Sequence, residues 1–181
     1  METNQAKLHQ NPPQNTKDLF HGAQICLRIL AFATTLAATW TILTSKQTIL
    51  IIGMSFSARY SYSPALKFLA LANGIACAFS AISFVFVVFL RRTFFNPTNY
   101  FFLFLHDLVM LLLVLAGCAA ATAIGYVGEY GNSHSGWSPI CDHFHKYCKR
   151  VTASLAVSYF SVLFFLMLTI ISASKSRQIK V

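Results

Sequence analysis

The chain has 181 residues, of which 56% are hydrophobic and 10% charged, with 17 Phe and a formal net charge of +9. A soluble globular domain carries about a quarter charged residues, so this composition excludes an ordinary water-soluble globule and points to a membrane protein. The 14 basic residues outnumber 5 acidic ones, but they flank apolar stretches. Attraction to anionic lipid headgroups accounts for them there, and no nucleic-acid partner is expected.

The N-terminal stretch "METNQAKLHQNPPQNTKDLFHG" is polar and contains Pro12 and Pro13. It lacks the short apolar core of a cleavable leader and reads as a disordered tail over residues 1–22. Four apolar stretches follow, at about 25–44, 66–90, 101–126 and 151–173. Each is long enough to cross about 30 Å of hydrocarbon as a helix. The expected fold is therefore an all-α membrane protein, a four-transmembrane-helix bundle over residues 23–174 that ends in a basic tail, 175–181. The first span is expected to stay in place as a signal anchor.

The first span, "ICLRILAFATTLAATW", carries Arg28, and Cys26 beside it is a candidate for palmitoylation. The second holds Asn73, expected to hydrogen-bond to another helix, and small residues at four-residue spacing: Ala70, Gly74 and Ala78. The third, "FLHDLVMLLLVLAGCAAATAIGYVG", has Asp107 near its head and a second small row of Gly117, Ala121 and Gly125. Such rows let helix backbones approach closely, within one chain or between copies. Phe84, Phe86, Phe89, Phe101, Phe102, Phe164 and Phe165 are expected to face lipid or the interface.

A lone carboxylate near a lipid-exposed helix centre costs roughly 2.5–3.5 kcal/mol on insertion scales. Arg28 and Asp107 fall at matching depth, roughly 5–9 Å into their spans at 1.5 Å per residue. An arginine fork can bond a carboxylate through two hydrogen bonds, and each charge then offsets the other's desolvation. The alternative has Arg28 snorkelling to the headgroups and Asp107 flanking its helix near the interface. His106 adjoins Asp107 but points about 100° away around the helix, so no proton relay between them is expected.

The last loop, "GEYGNSHSGWSPICDHFHKYCKR", contains Cys141 and Cys148, the two cysteines outside the spans. A disulfide between them, closing a short outer loop, is the simpler use of the two thiols and is expected here; it would require an oxidising compartment. Cys141, His143, His145 and Cys148 also form a Cys-x-His-x-His-x-x-Cys pattern that zinc could use, although alternating histidines diverge in an extended strand. Trp137 and Pro139 are expected to pack this loop on the bundle, and Glu129 to sit at the interface. No phosphate loop, nucleophile elbow or HExxH motif is present. Hence no catalytic residue, cofactor or resident metal is expected, and the chain is not read as an enzyme.

Four spans place both termini on one side. Arg91 and Arg92 in the middle loop and the basic C-terminal tail favour a cytoplasmic location for that side. A disulfide in the last loop agrees with it.

Together, "LRILAFATTLAATW", "FSARYSYSPALKFLALANGIACAFS", "FLHDLVMLLLVLAGCAAATAIGYVGEYGN" and "GWSPICDHFHKYC" resemble the plant Casparian strip membrane domain protein-like family, in its subgroup 1, from about Arg28 to Ser172. The chain is more distantly similar to tetraspan MARVEL proteins. The resemblance implies a plasma-membrane protein with cytoplasmic termini that forms homo- and hetero-oligomers, with Arg28 and Asp107 at the family's two charged positions. Strip-forming members build stable platforms that recruit wall-modifying enzymes. The first loop here, "SKQTILIIGMSFSARYSYSP", lacks the short stretch typical of those members, so assembly carries over better than the strip role.

Two functions follow. The first is a non-enzymatic scaffold that oligomerises laterally and organises a membrane domain, with itself, related four-span proteins, membrane lipids and wall-modifying enzymes as partners. The second is transport of a small solute, ion or proton through Arg28 and Asp107. The spans offer chiefly Asn73, Thr34 and Thr35 as polar lining, which is sparse for a conduction path.

Overall fold

The computed structural model describes residues 14–51, 54–89 and 97–178. Four long helices account for most of them: α1 (Gln14–Leu43), α2 (Pro64–Phe89), α3 (Pro97–Tyr130) and α4 (His145–Gln178). All four contain stretches long and apolar enough to cross a membrane, namely Gly22–Leu43, Pro64–Val88, Phe101–Tyr130 and His145–Ser176. Pro64 and Pro97 open α2 and α3, where a missing N–H is tolerated and a fixed φ suits the first turn.

Each helix packs on two neighbours, α1 on α2 and α4, and α3 on α2 and α4, so the bundle closes into a ring. The direction alternates. Arg28, early in the apolar stretch of α1, meets Ser83 near the end of α2 and Asp107, early in the apolar stretch of α3, which in turn meets Ser172 near the end of α4. One end of the bundle therefore holds the start of α1 and the end of α4, and the opposite end holds the first and last loops.

Between the charge level and the loop end, the interior is built from small and branched apolar residues, among them Leu69, Ala76, Val114, Ala121, Ile42 and Leu168. Gly117 allows α2 and α3 to come together, since a Cβ there would stand 3.3 Å from both the Leu69 Cα and the Ala72 Cβ. The outward faces stay apolar, as Leu71, Ile82, Phe86, Phe102, Leu112 and Phe160 are exposed. In lipid that exposure needs no further partner, because acyl chains are as apolar as the side chains. The threonines in the apolar stretch of α1 need none either. Thr34, Thr35, Thr39 and Thr41 donate to carbonyls one turn back at 2.7–2.8 Å, so each hydroxyl proton is satisfied within its own helix.

The four-helix class stands, with one addition that the all-α expectation missed. The first loop is a two-stranded antiparallel hairpin, β1 (Lys46–Ile51) against β2 (Met54–Arg59), in register Lys46 with Arg59 and Ile49 with Phe56. Ile49, Leu50, Ile51 and Phe56 are β-branched or bulky residues that suit a strand, and the apolar run is too short to span. A short 3₁₀ turn, Tyr60–Tyr62, leads from it into α2.

The helix limits also differ from expectation. α1 begins at Gln14 and α4 continues to Gln178, so residues 14–22 and 175–178 are helical rather than tail. Helical backbone extends past the hydrocarbon because nothing in "NTKDLFHG" or "SKSRQ" breaks it. Arg91 and Arg92 lie outside the described residues. Of the phenylalanines expected to face lipid, Phe165 is 1% exposed and packs in the core. It lies on the α4 face that also buries Ser158, Ser161, Leu168 and Ser172, and helical position outweighed hydropathy.

Candidate functional site: a charge cluster joined by all four helices

Each helix contributes one side chain at the terminal end of the bundle. Arg28 on α1 is 1% exposed and Asp107 on α3 is fully buried. The guanidinium Nη2 donates to Asp107 Oδ2 at 2.9 Å, and Nη1 to Oδ1 at 3.3 Å. Nη1 also donates to Ser83 Oγ of α2 at 2.7 Å. The Ser83 hydroxyl in turn donates to the Ser80 carbonyl at 3.0 Å. From α4, the Ser172 hydroxyl donates to Asp107 Oδ2 at 3.4 Å. The forked pair thus sits between two hydroxyls, and the buried charges are compensated by each other and by local dipoles.

The expectation for His106 requires correction. Its Nδ1 lies 3.2 Å from Asp107 Oδ1. The angle between adjacent Cα–Cβ directions does not prevent contact when the carboxylate turns toward the near ring nitrogen. His106 itself borders a lipid-side groove of about 420 Å³ with Phe79, Phe86 and Phe102, and its ring packs on Phe79. Ser83 is the member of the cluster that reaches this groove besides His106; Arg28 and Asp107 do not line it.

Further along the axis, Asn73 Nδ2 of α2 donates to Ser158 Oγ of α4 at 3.0 Å and to the Leu69 carbonyl at 3.0 Å. Ser154 of α4 donates to the Ala38 carbonyl of α1 at 2.8 Å. At the loop end Arg150 donates to the Thr44 carbonyl at 2.9 Å, and the Tyr147 N–H to Gln47 Oε1 at 2.9 Å. The interior is more polar than "Asn73, Thr34 and Thr35" implies, since Ser80, Ser154, Ser158, Ser161 and Thr169 are also buried. These hydroxyls escape notice because a serine counts little against Leu and Phe in a hydropathy window. Ser154 donates to α1, whereas Ser158, Ser161 and Thr169 donate to carbonyls of their own helix. Replacing Asn73 by Leu is expected to lower stability by about 0.6 kcal/mol and at most about 1.7, the range for single interhelical bonds in membranes. A thermal midpoint in detergent measures it.

Ser83 and Ser172 are the cluster members that sequence reasoning missed. Each is a serine in an apolar span, several residues before its helix ends. With alternating helix direction, that position is the depth of Arg28 and Asp107, and this is the signal that could have found them.

The small-residue rows are divided by the structure. Ala70, Gly117 and Ala121 are buried within the bundle. Gly74 and Gly125 are half-buried with nothing within 4 Å of a built Cβ, and Ala78 is exposed.

Cys141 and Cys148 form a disulfide with Cα atoms 5.7 Å apart. The loop that carries it is strapped to α3, as the Gly128 carbonyl accepts from the N–H groups of Ile140 at 2.9 Å and Cys141 at 3.1 Å. Gly131 ends α3 with φ +69°, and a Cβ there would meet the Trp137 carbonyl oxygen at 2.5 Å. Backbone bonds between Asn132 and Trp137 close this turn, while the Trp137 ring stays 60% exposed rather than packing on the bundle. Ligand atoms of Glu129, Cys141 and Cys148 lie within 4.8 Å of one another. The sulfurs are bonded to each other, and neither His143 nor His145 joins that group, so the zinc pattern is not assembled here.

These features define a four-span α-helical membrane protein braced by a buried ion pair. The Casparian strip membrane protein domain matches residues 17–164, and the chain belongs to that family. It is 58% identical over 177 residues to CASP-like protein 1F2 of Populus trichocarpa, covering 98% of each chain. It is 56% identical over 179 residues to CASP-like protein 1F1 of Vitis vinifera, covering 98% of this chain and 86% of the relative. With CASP-like protein 1F1 of Arabidopsis thaliana it shares 37% identity over 167 residues, 92% of this chain and 96% of that one. No solved structure matches the chain.

Proposed function

We propose that the chain is a non-enzymatic scaffold of the plasma membrane, with both termini cytoplasmic, that associates laterally with itself and related four-span proteins. The observation that carries this reading is the use made of Arg28 and Asp107. Every helix contributes to their cluster, both residues are buried, and neither lines the groove beside His106 or the cavity at the loop end. Charges used in this way hold a bundle in register and are poorly placed to carry a solute or to act on a substrate. The outward faces remain apolar, and Gly74 and Ala78 leave close-approach surface for neighbouring copies. A disulfide at the loop end supports an oxidising exterior on that side and hence cytoplasmic termini. The family supports a platform role, in which cell-wall-modifying enzymes are the partners.

The test is photobleaching recovery of tagged protein in plant plasma membrane, together with chemical crosslinking. Slow recovery and a ladder of multimers are expected, and Gly74→Leu should shorten the ladder while the monomer stays folded. A freely mobile monomer that supports ion flux in liposomes would replace this reading with transport.

A further inference from the structure

At the loop end, where hydrocarbon gives way to water, the start of α2, the end of α3 and the start of α4 border a half-open cavity of about 340 Å³ that β2 and the disulfide loop also line. That volume lies in the range of pockets for drug-sized molecules, about 300–1,000 Å³. Its floor is apolar, from Leu66 and Ile124, and is widened by Gly125, where a Cβ would meet nothing within 4 Å. Tyr62, Phe144 and Tyr147 line its wall. Two opposite charges border it, Arg59 and Glu129, and neither has an ion-pair partner among the described residues. Ser63 also lines it, and its hydroxyl is buried without a hydrogen-bond partner in the wall behind.

We propose that this cavity binds a zwitterionic phospholipid through its phosphocholine headgroup. Aromatic faces beside a carboxylate suit a quaternary ammonium, which places that group against Tyr62, Phe144, Tyr147 and Glu129. A guanidinium matches phosphate geometry, so Arg59 takes the phosphate. The acyl chains follow the Leu66 and Ile124 floor toward the bilayer. One positive and one negative group on the protein complement one negative and one positive group on the lipid. An anionic headgroup without a cation would leave Glu129 facing like charge.

The full chain is reconstituted in vesicles of equal phosphatidylcholine and phosphatidylglycerol, extracted in mild detergent, and its retained lipid counted by native mass spectrometry. Phosphatidylcholine is expected to be retained in preference. Glu129→Gln, at an exposed position, should reduce that preference about fivefold, and Gly125→Leu should abolish retention by filling the floor. Excess free phosphocholine should leave the lipid in place. Equal retention of the two lipids, retention unaltered in both variants, or displacement by free phosphocholine would each overturn the proposal.

Discussion

Replacing Arg28 by Leu, or Asp107 by Leu, is expected to destabilise the bundle by about 3–5 kcal/mol, because either change leaves the other charge buried without its partner. The geometry makes relief difficult. Arg28 and Asp107 are 1% and 0% exposed, and the remaining neighbours of Asp107 are a serine and a histidine. The double replacement by Leu should recover much of the loss, since apolar pairs often substitute for buried ion pairs without penalty. The reversed pair, Arg28→Asp with Asp107→Arg, should recover part of it. Ser83 and Ser172 can each serve the opposite charge, as a hydroxyl both donates and accepts. Fluorescence-detected size exclusion after heating, with trafficking of tagged protein, reads all four variants. If the single replacements match the parent, or neither double variant regains anything, the pair is not a brace.

Gly117→Leu is the second large effect, an expected loss of about 3 kcal/mol at the upper end of overpacking costs. A Cβ at this position would already stand 3.3 Å from the Leu69 Cα. Backbone cannot rotate away as a side chain does, so α2 and α3 must separate and lose their dispersion contacts. Gly74→Leu is the matched control, because a Cβ there meets nothing within 4 Å. A fall in the thermal midpoint of monomeric protein in detergent with Gly117→Leu, and none with Gly74→Leu, is the expected contrast. Equal tolerance of both would show that α2 and α3 do not approach as described.

The four helices were legible because lipid imposes a single length and a single polarity on every crossing segment, which a sequence displays without reference to neighbours. Arg28 and Asp107 stood out for the same reason, as charges where charge is costly. What remained hidden depends on rotation about a helix axis. Phe165 and Phe164 are adjacent and equally apolar, yet Phe165 lies in the core and Phe164 only partly packs against it. Gly117 and Gly125 belong to one four-residue row, yet one meets α2 and the other meets open space. The hairpin was obscured by composition, since "TILII" reads as well for lipid as for a strand. His106 was misplaced because adjacent positions were judged by backbone direction alone, while the side-chain tips close the gap.

The ion pair joins residues separated by 79 positions in sequence. During synthesis the first helix is therefore delivered to the membrane well before its counter-charge exists. At about 5–20 residues per second the arginine waits roughly 4–16 s. Over that interval its long stem can keep the guanidinium among the headgroups, since it lies within two turns of the start of the apolar stretch. The pair can close only once the third helix is in place. The same contact that holds the finished bundle thereby marks the moment when a nascent chain passes from separate inserted helices to an assembled protein.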